Sequence, residues 1–232
     1  MATPRAAADA SRWVASRGGF TPADIKAVEP DARRVLAPAL AAAGAADAFR
    51  AGRVKPGAGP ARAAAEAVVL AARASFGRLG AALASGAVNL TEWFARTLRG
   101  LAARSAAAAM AVMGTKDLLD PDRAAVAAAV DRQGWFLGRF RRKIESLAFP
   151  LAGVARRAAL YADSLWGAAW AAFLARSRAD GRREGRRVLG GPSRHCPDCP
   201  PLAALGWAPL GEVVPIGETA CGQRCHCYLA VR

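Results

Sequence analysis

Apolar side chains recur at spacings of three and four residues along most of this chain, which is the pattern of helices that bury one face. One such stripe comprises Phe94, Leu98, Leu101, Ser105 and Ala108. A second comprises Val126, Val130, Leu137, Phe140, Ile144 and Leu147. A third helix is expected from Pro150 to about Arg178. The pattern predicts a mainly α protein with a body of antiparallel helices.

Helix starts are marked by capping residues followed by proline or an acid. Thr21-Pro22-Ala23-Asp24 and Asp120-Pro121-Asp122 have this form, and Asn89-Leu90-Thr91-Glu92 resembles a capping box. We expect a helix to resume from Pro30 to about Phe49, and another over 61–83. The Gly- and Pro-rich segment 51–60 predicts a linker.

Alanine supplies much of the apolar content, and it removes little area from water per residue. We therefore expect the core to depend on larger side chains: Trp93, Phe94, Leu98, Leu101, Trp135, Leu137, Phe140, Ile144, Leu160, Tyr161, Leu165, Trp166, Trp170 and Phe173. A change in composition near residue 190 predicts that the chain consists of two unequal parts, a large helical part and a small C-terminal one. We assign residues 1–55 to an N-terminal helical arm, 61–188 to the helical body and 189–232 to a Cys-rich module.

The formal net charge is +15, carried mostly by arginine. The densest basic stretch contains Arg176, Arg178, Arg182, Arg183, Arg186 and Arg187. These arginines predict a contact with phosphates or an acidic protein surface. The alternative is a solvated helix end, where positive charge is favourable. Glycines from Gly181 to Gly191 predict a hinge in the later half of the stretch.

Residues 1–19 lack the apolar region of a signal peptide, and the longest uncharged apolar runs are too short to cross a bilayer. We therefore expect neither a signal peptide nor a transmembrane segment. Cysteines made in a reducing compartment more often bind metal than form disulfides.

All five cysteines lie near the end of the chain, as Cys196-Pro-Asp-Cys199 and Cys221-Gly-Gln-Arg-Cys225-His-Cys227. Two close pairs about twenty residues apart can supply the four corners of a tetrahedral zinc site. Cys196, Cys199, Cys221 and Cys225 form the simplest ligand set. Cys227 competes for the last place, because side-chain alternation would point it the same way as Cys225. His195 and His226 are further alternatives.

The segment between the two cysteine groups predicts a hairpin or irregular loop with a small core of Trp207, Val213, Val214 and Ile216. A module of this size buries too little apolar area to fold alone, so zinc would supply much of its folding free energy. A redox dithiol is disfavoured by the three companion cysteines. A zinc deaminase is excluded because no histidine precedes His195. No other catalytic motif is present, and we expect no enzymatic activity.

Residues from about 89 to 232 resemble a tailed-bacteriophage family of minor head, or head morphogenesis, proteins. The matching blocks are Asn89-Leu90-Thr91-Glu92-Trp93, Arg157-Ala158-Ala159-Leu160-Tyr161-Ala162, His195-Cys196-Pro197-Asp198-Cys199, Gly217-Glu218-Thr219-Ala220-Cys221 and Cys225-His226-Cys227. Many members close with His-Pro-x-Cys-Arg-Cys, whereas this chain has Cys221 near the position of that histidine. A cysteine thus stands where those members have a histidine, and both residue types bind zinc.

The resemblance implies a structural virion protein, made in the host cytoplasm and docked on capsid, portal or connector subunits, with packaged DNA as a non-specific partner. It implies no small-molecule substrate, and we expect no membrane partner. The alternative hypothesis is a zinc-containing nucleic-acid-binding protein that grips phosphates with its arginine-rich stretch.

Overall fold

A computed structural model describes residues 19–50, 59–190, 195–216, 219–220, 225 and 227–232. It shows a mainly α-helical protein that ends in a three-stranded antiparallel sheet beside a cysteine cluster. The predicted fold class is therefore confirmed. The linker expected at 51–60 lies mostly outside the described residues, as do residues 1–18 of the N-terminal arm.

Helix α1 (Pro22–Ala42) begins at the predicted cap. The Thr21 hydroxyl accepts a hydrogen bond from the Asp24 backbone N–H, and the Asp24 carboxylate accepts one from the Thr21 N–H. The expected interruption before Pro30 is wrong, since the helix runs through Pro30 and Pro38. Proline keeps a helical φ and loses one hydrogen bond, and burial of the residues on the inner face offsets that loss. Helix α2 (Ala46–Arg50) follows.

Helix α4 (Leu90–Met113) lies at the centre of the body and contacts α1, α3 (Gly59–Ala84), α5 (Asp120–Glu145) and α7 (Leu165–Ala179). The Asn89 side chain caps its start by accepting from the Glu92 N–H at 2.9 Å, as predicted. Residues 105–112 of α4 are all buried. Small alanine side chains allow this close approach of neighbouring helices on every side.

Helix α5 starts one residue away from the predicted arrangement, with Leu119 rather than Asp120 at the N-cap. Asp122 accepts the Leu119 N–H at 2.7 Å and is fully buried. The single helix expected from Pro150 to Arg178 is instead divided into two 3-10 turns, Leu151–Gly153 and Leu160–Ser164, and helices α6 (Val154–Ala159) and α7.

Most of the predicted core residues are buried, including Trp93, Leu137 and Trp170. Two predictions are wrong: Trp135 is 56% exposed and Leu160 is 43% exposed. Trp135 lies off the stripe of Leu137. Leu160 begins a 3-10 turn, whose three-residue period differs from that of the expected α-helix.

Among the described residues, helix α3 is long and apolar enough by length and composition to cross a membrane. A third of the apolar segment that meets this criterion is buried inside the protein, where α3 packs against α4 and α6. Core helices of soluble proteins meet the same criterion, so the length and composition of α3 are weak evidence for a membrane-spanning segment.

The sheet has the order β2-β1-β3, formed by β2 (Ala208–Pro209), β1 (Glu184–Val188) and β3 (Tyr228–Val231). Strand β1 replaces the predicted hinge, because its backbone pairs on both sides. It lies before residue 189, where the boundary of the module was expected, and the three-part domain division stays a prediction. Buried side chains of the module, such as Leu210 and Leu229, belong to the same apolar core as the helices.

Candidate metal centre

The first cysteine pair lies on a tight turn that leads into the short helix α8 (Cys199–Ala204). The Cys199 N–H donates to the Cys196 carbonyl at 3.2 Å and closes the turn, which leaves the two Sγ atoms 3.3 Å apart. Asp198 accepts the Ala220 N–H at 2.7 Å. This bond holds the turn against the segment that precedes the second cysteine group.

The second group reaches the same place because Cys225 and Cys227 immediately precede β3, which pairs with β1. The Cys225 Sγ lies 3.6 Å from the Cys199 Sγ. The Sγ atoms of Cys199, Cys225 and Cys227 all lie within 4.8 Å of one another, and all three residues are buried. The fold therefore brings the thiol of Cys199 together with the thiols of Cys225 and Cys227, which lie 26 or more positions later in the chain.

These distances match a metal site bounded by sulfur. Zinc binds thiolate at about 2.3 Å, so neighbouring sulfurs of a tetrahedron are about 3.8 Å apart. No disulfide joins Cys196, Cys199, Cys225 and Cys227. The buried group of Cys199, Cys225 and Cys227 can therefore hold a metal ion, and Cys196 lies beside it as a candidate fourth sulfur.

Two of the four predicted ligands, Cys199 and Cys225, belong to this cluster, and a third, Cys196, adjoins it through its 3.3 Å sulfur contact with Cys199. The fourth, Cys221, lies outside the described residues, and so does His226. The rival ligand Cys227 is in the cluster. The Nδ1 atom of His195 lies 3.8 Å from the Cys227 Sγ, at the edge of the site.

Arg187 is buried beside the thiols, with 4% of its surface exposed. Its Nη1 atom lies 3.4 Å from the Cys225 Sγ and 3.7 Å from the Cys199 Sγ. Its Nη2 atom donates to the carbonyls of Val214 and Pro215 at 2.8 and 3.2 Å. A guanidinium stays charged when it is buried, and its burial is costly without an anion nearby. Its position therefore favours thiolates in the cluster.

Arg62 connects this centre to helix α3. Its Nη1 atom donates to the Cys227 carbonyl at 3.0 Å, and its Nη2 atom donates to the Cys225 carbonyl at 3.2 Å. The side chain also pairs with Glu66 and lies over the Trp166 ring. The backbone of the second cysteine group is thus held by a residue of the helical body.

The six arginines of the basic stretch do not form one surface. Arg176 makes a two-bond ion pair with the buried Asp122, and Arg178 donates to the Leu210 carbonyl at 3.2 Å. Arg187 points inward to the cysteines. Arg176 and Arg187 are thus occupied by contacts inside the protein, and the contact of the basic stretch with a partner stays a prediction. Arg182, Arg183 and Arg186 are exposed, and their role stays a prediction.

Sequence reasoning missed the roles of Arg62 and Arg187 at the site. The inward direction of Arg187 follows from alternation along β1, where Gly185 and Arg187 are buried and Arg186 is exposed. Trp207 was expected in the small core but is only partly buried, and Ile216 is the fully buried member of the predicted set.

In comparisons with known proteins, no family model, curated protein or solved structure matches this chain.

Proposed function

We propose that the cysteine cluster is a structural zinc site and that the chain is a structural component of a phage head. One observation carries the first half: buried thiols lie within tetrahedral reach of one another beside a buried guanidinium. Cys196, Cys199, Cys225 and Cys227 would be the ligands. Zinc would supply folding free energy to the module and perform no chemistry on a substrate.

The charge balance supports this assignment. Four thiolates around one Zn²⁺ carry two net negative charges, and the nearby Arg187 guanidinium offsets one of them. Hydrogen bonds and charges outside the ligand set commonly tune metal affinity in this way. A thiolate set also fits an iron centre, so the metal must be identified directly.

The resemblance to minor head proteins supports the second half of the proposal. In such a role the helical body and its zinc-bound end would dock on capsid, portal or connector subunits. A rigid end lowers the ordering cost of docking. Trp135 and Phe136, which are 56% and 52% exposed on α5, offer an apolar contact for such a subunit.

The metal assignment is tested by elemental analysis of the purified full chain and of Cys→Ser variants at each of the five cysteine positions. We expect one zinc per chain, with loss of metal in the Cys196, Cys199, Cys225 and Cys227 variants. Leu205→Ser, at an exposed position of the same module, is the matched control. Iron, or no metal in the unaltered chain, would refute the zinc assignment, and full zinc in Cys227→Ser would remove Cys227 from the ligand set.

The head assignment is tested in the phage or prophage that encodes the chain. We expect the protein to co-sediment with DNA-filled particles on a density gradient, and its deletion to lower particle yield. Particles that form at normal yield without it, while the protein remains in the soluble fraction, would refute this role and leave the zinc site unaffected.

A further inference from the structure

The two faces of the small sheet differ sharply. Pairing of Gly185 with Ala208 and of Gly185 with Val231 fixes the register of all three strands. One face carries Arg187, which contacts the cysteine sulfurs, and the buried Leu229 paired with it. The other face presents Arg186, and the same register carries Trp207 and Arg232 to either side of it. We name Arg186, Trp207 and Arg232 the Arg-Trp face.

Both arginines of this face stack on the indole. The Arg186 Cζ lies 4.9 Å from the centroid of the Trp207 ring, and the Arg232 Cζ lies 4.5 Å from it. Stacking uses the flat side of a guanidinium and leaves its N–H edge for another partner. Glu184 occupies the edge of Arg232 at 2.7 Å. Within the described part of the chain, no carboxylate pairs with Arg186.

Two more exposed arginines lie just before this face. Arg182 and Arg183 form the turn between α7 and β1, and neither has an ion-pair partner among the described residues. Elsewhere, arginines such as Arg99 and Arg123 are paired with carboxylates. Arg182, Arg183 and Arg186 therefore place three positive charges without an internal ion-pair partner at one end of the sheet.

We infer that the Arg-Trp face, together with Arg182 and Arg183, binds the phosphate backbone of DNA. Guanidinium edges match phosphate oxygens, and the net charge of +15 attracts a polyanion. Phosphate contacts carry no sequence information, so we expect binding to be independent of sequence. This contact goes beyond docking on capsid subunits and does not require that docking.

The test measures binding of the full zinc-loaded chain to a fluorescent random-sequence duplex and to one of its strands, by anisotropy over a range of salt concentrations. We expect the triple variant Arg182→Gln, Arg183→Gln, Arg186→Gln to bind at least tenfold more weakly at low salt. Each phosphate contact contributes about 0.9 to the slope of log affinity against log salt, so the slope should fall by up to about 2.7. The duplex and single-strand arms show which form of DNA is bound.

The matched control removes the same charge elsewhere. Arg132, Arg139 and Arg142 are exposed on α5, and Arg139 stacks on the exposed Trp135 at 4.9 Å. We expect the triple Gln variant at these positions to bind DNA nearly as the unaltered chain does. An equal loss of DNA affinity in both triple variants would show that only the net charge matters, and it would overturn the inference.

Two further measurements decide the remaining outcomes. Binding to polyglutamate as tight as binding to DNA would overturn the choice of nucleic acid in favour of an acidic protein surface. Zinc content measured on the same samples separates this inference from the metal site, because the variants leave every cysteine in place. Failure of the unaltered chain to bind either DNA at low salt would also overturn it.

Discussion

Neighbouring arginines in β1 have opposite surroundings. Arg186 is exposed and stacks on Trp207, whereas Arg187 is buried against Cys199 and Cys225. Side chains alternate between the faces of a strand, so neighbouring residues of β1 face solvent and the cysteine cluster respectively. Of these two arginines, only the inward Arg187 lies near enough to the sulfur atoms to offset negative charge on a thiolate–metal centre of the kind we propose.

This contrast predicts a difference in zinc affinity. Arg187→Met keeps an apolar stem of similar length but removes the charge and the hydrogen bonds to Val214 and Pro215. Loss of such a supporting contact typically lowers metal affinity by about 10- to 100-fold, and we expect a fall in this range. The measurement is zinc competition against a chromophoric chelator.

Arg186→Met is the control. We expect it to change zinc affinity by less than about twofold, because Arg186 lies on the opposite face of β1 and makes no supporting contact with the cysteines. Arg187→Lys keeps a positive charge without the planar fork and should fall between the two. An unaltered affinity in a folded Arg187→Met variant, judged by its circular dichroism, would contradict the role assigned to this residue.

At the level of elements, α3 and α6 approach so closely at Gly80 that no side chain fits at this position. A Cβ atom at Gly80 would lie 2.6 Å from the Ala155 Cα, 2.9 Å from its N and 3.0 Å from the Val154 carbonyl oxygen. These are backbone atoms, which cannot rotate away. The packing of α6 on the body therefore depends on glycine at this position.

We expect Gly80→Ala to destabilise the protein by about 1–3 kcal/mol, the usual cost of overpacking, despite the better helix propensity of alanine. Gly138→Ala is the matched control, because a Cβ atom there meets nothing within 4 Å. It should stabilise α5 by up to about 1 kcal/mol. Urea unfolding followed by far-UV circular dichroism, with excess zinc, measures both, and a Gly80→Ala variant as stable as the unaltered chain would refute the close contact.

The features that were predictable from sequence are those fixed by nearby residues. Thr21 and Asn89 cap helices through atoms three positions away, and the spacing of Cys196 and Cys199 determines their turn. The exposure of Trp135 was also predictable from the sequence, since Trp135 lies off the apolar stripe that contains Leu137. By contrast, Arg62 contacts the Cys227 carbonyl across 165 positions, and no local pattern encodes such a pairing.

For the whole molecule, this long-range contact means that the cysteine module is not an independent appendage. Arg62 joins α3 to the backbone at Cys225 and Cys227, and Leu229 belongs to the same core as the helices. Metal binding would therefore stabilise more than the sheet. The helices still bury most of the large apolar side chains, so they should remain folded without metal.

Chelation of the full chain should accordingly expose backbone N–H groups around Trp207 and in β3 to hydrogen exchange, while protection in α4 persists. The melting temperature of the helices should also fall, because the restraint through Arg62 is lost. In Arg62→Ala this zinc-dependent difference should shrink. Arg73→Ala is the control, since Arg73 lies on the same helix but pairs with Asp163 within the body. Unchanged hydrogen exchange near Trp207 after chelation would refute the stabilisation of the module by metal. Equal changes in melting temperature in the Arg62→Ala and Arg73→Ala variants would refute only the coupling through Arg62.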